Sequence, residues 1–535
     1  MTVRQIEGEL RTVVDVLRAA ATVNPDVEAY VEPATDSAPR RSVTFSQWDR
    51  AADGVAGLLA GYGVGRGSVV ALLVPSSIDY MVCYAAATRL GAITSGVNLR
   101  LGAAESRSIL ERTRPTVTVI DDGLPLPDGP CGTVVARSTA AAAAAGPPPE
   151  HHPALDPTDP VAVVWTSGTT GLPKGAVFDH RCLAAVAAGT DVLSEPGDRR
   201  LSPLPFAHVG SMTRTWDEVA NGITTVITPT PWTAGDTLRI IADERITVAQ
   251  GVPTQWALVM AHPDLDGTDT SSLRIAGTGA SRVPPELVAA MRARFGVPVV
   301  VRYTSTEASL GTGTVPGDDD DSVANSVGRP VPGVEMAIVD ENGHQVGPGE
   351  VGRVRLRSEA VMRGYWGGPP AGAGAAGVTW DAAATGAVLA PDGWLTTGDF
   401  GFLDHRHCLR LVGRANELYI RGGYNVYPAE VEQVLGAHPA VRQVAVVGAA
   451  DPVLGEIGVA FVVPADDVTA GRGGPPSEDG LLADLRAAAR GVLADYKAPD
   501  RVVVVDALPL TSMMKVDKRS LADRAASLPQ RVPAT

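Results

Sequence analysis

Eleven consecutive residues, Trp165-Thr166-Ser167-Gly168-Thr169-Thr170-Gly171-Leu172-Pro173-Lys174-Gly175, combine three glycines, four side-chain hydroxyls and one lysine. Glycine lets backbone N–H groups close on an anion, and hydroxyls and an ammonium add further donors, so the stretch suits phosphate. It follows Val161-Ala162-Val163-Val164, a short apolar run that predicts a buried strand. The spacing is not that of a P-loop, which needs Gly-x-x-x-x-Gly-Lys-Ser/Thr ahead of a helix. The loop is therefore expected to hold a nucleotide polyphosphate in a way the common ATPases do not.

Other stretches offer complementary groups. Tyr303-Thr304-Ser305-Thr306-Glu307 follows an apolar run at 297–301. A tyrosine ring can stack on adenine, a threonine can reach phosphates, and a glutamate can hold Mg²⁺. Trp394-Leu395-Thr396-Thr397-Gly398-Asp399 ends in a carboxylate able to accept from both hydroxyls of a ribose. Leu273-Arg274-Ile275-Ala276-Gly277-Thr278-Gly279-Ala280-Ser281 predicts a strand ending in a tight glycine turn.

Taken together, these motifs resemble those of the adenylate-forming superfamily, which holds acyl-CoA synthetases, aryl-CoA ligases, beetle luciferases and the adenylation domains of peptide synthetases. Thr166 through Gly175 matches its phosphate loop. The resemblance implies that Thr166, Ser167, Gly168, Thr169, Thr170 and Lys174 manage the β- and γ-phosphates of ATP, with Thr166 also counted as catalytic. Gly279 and Ala280 would border the adenine, although Thr278 and Ser281 replace a glycine and a proline usual in that turn. Tyr303, Thr304, Ser305 and Thr306 would complete the nucleotide site, Thr304 standing where glycine is usual, and Glu307 would carry the metal. Asp399 and Arg414 would hold the ribose.

The same resemblance extends to acyl group, hinge and thiol. Phe206-Ala207-His208-Val209-Gly210 is similar to a segment near the acyl group, giving His208, Val209 and Gly210 as acyl-binding candidates; a structural histidine is the other reading of His208. Gly413-Arg414-Ala415-Asn416-Glu417 resembles the hinge of a rotating C-terminal lid, with Asn416 at the pivot. Asparagine visits unusual backbone angles comparatively easily. Gly422, Gly423 and Tyr424 would meet the pantetheine arm of CoA, and Glu430 and Glu432 open a helix. Leu508-Pro509-Leu510-Thr511-Ser512-Met513-Met514-Lys515-Val516-Asp517-Lys518 aligns Lys515 with the family's catalytic lysine, with Met514 in place of glycine.

The elements that must position these residues follow from pattern and composition. At 535 residues, more than one domain is expected. A net charge of −15 disfavours nucleic acid or an anionic membrane as bulk partner. Cys83, Cys131, Cys182 and Cys408 lack metal-ligand spacing, and the histidines form no zinc pattern. No apolar run is long enough for a membrane span, and Met1 through Glu7 lacks a signal-peptide core, so a cytoplasmic location is expected. Alternating strands and helices imply an α/β protein. The expected plan is a large N-terminal domain (1–413) of parallel-rich sheets with helices plus a β-rich subdomain, a hinge at 414–416, and a small mobile α/β lid (417–535). Residues 8–31 read as helix, 136–150 as a solvated loop, and 367–391 as a flexible surface insertion.

The function this implies is ATP-dependent activation of a carboxylic acid to an acyl-adenylate, then transfer to CoA with release of AMP and pyrophosphate. No acid stands in the Phe206 neighbourhood to pair with a substrate amine, so a hydrophobic fatty, aryl or alicyclic acid is favoured. Two other readings stand beside it. One is transfer to a separate carrier protein; the other is a nucleotide-binding homologue with impaired catalysis, suggested by Thr304, Asn416 and Met514. Pattern alone leaves the oligomeric state open.

Overall fold

The computed structural model describes Val3 and residues 11–166, 173–189, 191–281, 283–369, 378–465, 477–511 and 515–528. Packing separates two compact units, Met1–Ala337 with Arg355–Thr397, and Ile338–Val354 with Gly398–Thr535. Residues 398–413 thus group with the later unit.

The first unit holds two large sheets. One has nine strands in the order Arg329–Pro330, Thr312–Gly313, Val299–Tyr303, Ile275–Gly279, Val248–Gly251, Arg199–Ser202, Thr224–Ile227, Glu28–Glu32 and Arg41–Thr44. Its central neighbours are parallel, and its outer pairs are antiparallel. The other has eight strands: Thr379–Trp380, Gly364–Gly368, Gly175–Asp179, Pro160–Trp165, Ile93–Gly96, Val69–Leu73, Val117–Ile120 and Thr133–Ala136. From Pro160–Trp165 onward that sheet is parallel. Both faces of a parallel sheet must be covered, which is why Val69–Leu73 is buried at every position. A four-stranded sheet of Glu335–Val339, Gly352–Arg357, Leu395–Leu403 and Leu409–Arg414 supplies the expected β-rich part.

Local chemistry explains the helix starts. Thr44 caps Phe45–Gly61 in a reciprocal box with Gln47, whose side chain accepts from the Thr44 amide at 2.9 Å. Thr12 and Asp15 do the same for Val13–Val23. The 8–31 expectation is corrected here: helix ends at Val23 and Glu28–Glu32 is a strand. Tyr30 and Val31 are buried in the sheet there, a tertiary preference the helical periodicity upstream concealed. Leu10 lies outside the described residues.

Residues 136–150 are also corrected. Arg137–Ala143 is a helix, with Ala140 its buried residue. A Cβ on Gly54 would meet the Ala143 carbonyl at 2.4 Å, and one on Gly57 the Pro147 carbonyl at 2.3 Å. Gly54 and Gly57 permit this close approach, while most of 136–150 is exposed as expected. Within 367–391, the described part forms the strand Thr379–Trp380 and the helix Ala382–Gly386. Gly367 packs directly on the backbone of 379–381, so this part is built into the sheet.

The second unit is a small α/β body. Its sheet runs Tyr424–Val426, Tyr419–Arg421, Gly455–Pro464 and Val441–Asp451, with Arg501–Val504 parallel to Gly455–Pro464. The helices Pro428–Gly436 and Glu478–Val492 bury Val431, Leu435, Leu481 and Leu485 on one face. No helix among the described residues is long and apolar enough to cross a membrane, and all four cysteines are free and buried.

Candidate active site

The phosphate-loop residues are the connection of an antiparallel hairpin. Pro160–Trp165 pairs with Gly175–Asp179, and Trp165 faces Gly175. The Thr166 amide donates to the Lys174 carbonyl at 2.8 Å, so the loop's two ends are pinned together. Ser167, Gly168, Thr169 and Thr170 lie outside the described residues. Arg112 anchors the returning end: its guanidinium donates to the Pro173 carbonyl at 2.6 Å and the Trp366 carbonyl at 2.9 Å, and lies 5.1 Å over the Trp165 ring. Burial lowers its pKa below the ordinary arginine value. No spacing rule links Arg112 to a motif 61 positions away (173 − 112), and it is a residue that sequence reasoning missed.

The nucleotide turns leave the same end of adjacent parallel strands. Ile275–Gly279 and Val299–Tyr303 pair with Gly279 opposite Arg302. Their following segments, 280–281 and 304–307, therefore emerge side by side, at the carboxyl ends where α/β sheets bind ligands. Gly279 is required because a Cβ would meet the Arg302 carbonyl at 2.2 Å. Ala280 sits at φ 66°, in the left-handed region where a side chain is strained. Tyr303 is buried, while the exposed Thr304 turns its hydroxyl to the Ser305 carbonyl at 3.2 Å. The Ser305 hydroxyl accepts from the Ala308 amide, which holds the turn that presents Thr306 and Glu307.

Glu307 joins the two sheets. Its carbonyl accepts from the Met362 amide at 2.8 Å, and its Oε1 accepts from the Tyr365 hydroxyl at 2.6 Å. The Lys174 Nζ lies 5.4 Å from the centroid of that same tyrosine ring. Lys174 and Glu307, predicted separately, are thus brought onto one side chain. Among the described residues there is no cluster of three His, Cys, Asp or Glu suited to a metal. Glu307 makes no other side-chain hydrogen bond among the described residues.

The acyl candidates form a short helical turn. His208 caps Val209–Met212, its Nδ1 accepting from the Gly210 amide at 3.1 Å, so the cap fixes which ring nitrogen carries the proton. The structural role expected as the alternative for His208 is therefore present. A Cβ on Gly210 would lie 2.8 Å from the end of the Leu204 side chain, which would have to shift to admit it. Phe206 packs edge-on against Tyr30 and Tyr80 in the core. Thr213, at the end of the turn, accepts from the Ser309 hydroxyl at 2.7 Å, tying this segment to the loop of Glu307.

In the second unit, Asp399 and Arg414 are direct partners across the Leu395–Leu403 and Leu409–Arg414 hairpin. The Arg414 Nε donates to the Asp399 Oδ1 at 2.9 Å. Lys515 closes a tight turn: its amide donates to the Thr511 hydroxyl at 3.3 Å, and its carbonyl accepts from the Thr511 amide at 2.7 Å. Burial, with the positive charge of Arg414 adding and Asp399 opposing, pushes the Lys515 ammonium from 10.5 down to about 8. Lys518 differs, being clamped by Glu417 at 2.7 Å and Glu432 at 2.9 Å. Met514 lies outside the described residues.

Gly422 and Gly423 form the turn of the Tyr419–Arg421 and Tyr424–Val426 hairpin, at φ 58° and 88°. Hairpin geometry alone demands glycine there. Tyr424 is exposed and stacks on Tyr496 with centroids 4.5 Å apart. Asn416 lies in a turn closed by the Glu417 amide on the Arg414 carbonyl at 3.1 Å, and is not among the residues at positive φ.

A glycine-rich hairpin loop, nucleotide turns at parallel strand ends, and a separate small unit bearing a lysine of lowered pKa define an adenylate-forming enzyme. Comparison with known proteins bears this out. Residues 17–366 match the model of the AMP-binding enzyme family, and 430–515 match that of the AMP-binding enzyme C-terminal domain. The chain belongs to that family, in the class of acid–thiol ligases. It is 34% identical to the indoleacetate–CoA ligase of Aromatoleum aromaticum, over 94% of this chain and 98% of that one. It is 31% identical to the fatty acid–[acyl-carrier-protein] ligase ScoC of Streptomyces coeruleorubidus, over 90% and 92%. The crystal structure of ATP-bound MatB from Rhodopseudomonas palustris superposes with a TM-score of 0.82 at 26% identity, covering 96% of this chain and 99% of that one.

Proposed function

We propose that the protein joins a hydrophobic, amine-free carboxylic acid to ATP with Mg²⁺, forming an acyl-adenylate and pyrophosphate, and then transfers the acyl group to the thiol of CoA with release of AMP. The carrying observation is Lys515, which among the described residues has no ion-pair partner and sits within electrostatic reach of Asp399 and Arg414. Attack of a carboxylate on the α-phosphate concentrates negative charge, so the step requires a positioned cation rather than an acid–base pair. Lys515 serves there, while Thr166, Lys174 and their loop hold the outer phosphates. Mg²⁺ supplies charge neutralisation on the phosphates, and Glu307 is the residue that holds it. Asp399 and Arg414 orient the ribose, and Tyr303, Gly279 and Ala280 bound the adenine.

The acid carries no amine, because the carboxylates of the following helix are committed elsewhere. Glu218 lies 3.0 Å and Asp217 3.4 Å from the buried Arg200, and Asp217 also meets Arg214 at 3.2 Å. His208, Val209 and Gly210 contribute no carboxylate to pair with an amine. Indoleacetate and fatty acids, named for the relatives, fall within this class. Between the two half-reactions the lid turns about Asn416 and brings Gly422, Gly423 and Tyr424 to the pantetheine arm. Free, buried cysteines fit a reducing cytoplasm, where ATP and CoA are supplied.

Exchange of labelled pyrophosphate into ATP across a panel of aryl, fatty and alicyclic acids tests the first step, with exchange expected for at least one of them. No exchange with any acid would favour the impaired nucleotide-binding homologue. The carrier-protein ligase among the relatives supports a second acceptor. Thioester formation with CoA against a phosphopantetheinyl carrier separates the two.

A further inference from the structure

We propose that Tyr365 is the positioning residue of the metal carboxylate: its hydroxyl occupies Glu307 Oε1 and so aims Oε2 at Mg²⁺, while its ring carries the phosphate-loop Lys174. The inference rests on the reading of Glu307 as the metal holder. The Tyr365 hydroxyl donates to Oε1 at 2.6 Å, a charge-assisted bond at the short end of the range. Tyr365 is 4% exposed.

The tyrosine is itself held from several sides. Its strand pairs it with Ala176, the second residue of the strand that leaves the phosphate loop. Its amide donates to the Thr385 hydroxyl at 2.9 Å, and its carbonyl accepts from the Asp381 amide at 2.9 Å. The ring therefore cannot follow a moving Glu307; the carboxylate must conform to it. A cation over the ring face is favoured by the ring's own charge distribution, so one rigid side chain sets the relative positions of Lys174 and Glu307. Both groups address the same polyphosphate, one directly and one through the metal.

Tyr365→Phe removes the hydroxyl and keeps the ring. The probe is Mn²⁺ titrated by electron paramagnetic resonance onto the full-length enzyme with α,β-methylene-ATP, alongside the Mg²⁺ dependence of pyrophosphate exchange. Tyr365→Phe is expected to weaken Mn²⁺ binding on the order of 10-fold, the usual cost of losing a group that orients a metal ligand. Saturating Mg²⁺ should then restore most of the exchange, and the thermal midpoint should be nearly unchanged. In a Glu307→Gln background, adding Tyr365→Phe should weaken Mn²⁺ no further. Unchanged Mn²⁺ affinity in Tyr365→Phe, with a loss in Glu307→Gln, would overturn the role of Tyr365 alone. Unchanged affinity in both would overturn the assignment of Glu307 as well. Additive losses would mean that Tyr365 acts by packing, which also overturns it.

Discussion

An ammonium with a pKa near 8 changes charge within the range at which enzymes are assayed, and Lys515 is such a group. The protonated form neutralises the charge that develops on the α-phosphate. For the free enzyme, kcat/KM of the adenylation step should therefore fall as pH rises through about 8. A profile flat to pH 10 would show that another cation does this work. Replacing the lysine by alanine should slow adenylate formation by about 10²-fold or more, as for other lost transition-state contacts. Thiolation of a supplied adenylate should be spared; equal loss in both steps would mean the lysine is misassigned. The stability sign is opposite to that of an ion-paired lysine. The folded pKa lies below the free value of 10.5, so between about 8 and 10.5 the unfolded chain binds more protons. The stability penalty from Lys515 is full below pH 8 and disappears as pH rises through that window. Lys515→Met should accordingly raise the thermal midpoint at pH 7 while adenylation is lost. At this scale the spacing to Pro509 and Thr511 singled out Lys515 as the candidate, but not its state. Burial and the charges of Arg414 and Asp399 set that state.

At the scale of elements, the phosphate hairpin and the adenine turn do their work through backbone geometry. Arg112 satisfies two carbonyls, one at the end of the hairpin and one in the strand Gly364–Gly368. Arg112→Ala leaves both without that donor and should destabilise the protein by about 1–3 kcal/mol, read by denaturant unfolding. It should also raise KM for ATP more than it lowers kcat, since it loosens the loop that binds phosphate; the opposite pattern would separate Arg112 from the loop. Ala280 at φ 66° is strained by its Cβ. Ala280→Gly should therefore stabilise the fold or leave it unchanged, by up to about 1 kcal/mol, where most substitutions near a binding turn destabilise. The strand–turn units that end at Ser281 and Glu307 were readable, because apolar runs closed by glycine or proline are strong local signals. The helix Arg137–Ala143 was not: an alanine-rich run reads the same whether it faces solvent or a glycine-lined helix.

For the whole molecule, the proposed function has the small unit present Lys515 in one half-reaction and the Gly422–Gly423 hairpin in the other. Asn416 occupies an ordinary turn with negative φ, so the pivot stores no backbone strain in this conformation. Asn416→Pro fixes φ at its own position and restricts Ala415 before it. It should leave pyrophosphate exchange within about threefold of the parent and slow thioester formation by 10-fold or more, if rotation gates the second step. Equal slowing of both steps would move the hinge elsewhere.

Sequence by itself determined the family, the reaction class and the alternation of strand and helix, and named Glu307, Asp399, Arg414 and Lys515 as candidates. Each of these depends on residue types at short fixed spacings, which a chain carries without folding. Tertiary structure decided which of those residues meet. Tyr365 takes Glu307 on its hydroxyl and Lys174 on its ring across 58 and 191 positions (365 − 307 and 365 − 174), and Arg112 holds the end of a hairpin from another helix. Such contacts come from the register between strands distant in sequence, and register is set by burial of whole sheet faces rather than by any local motif.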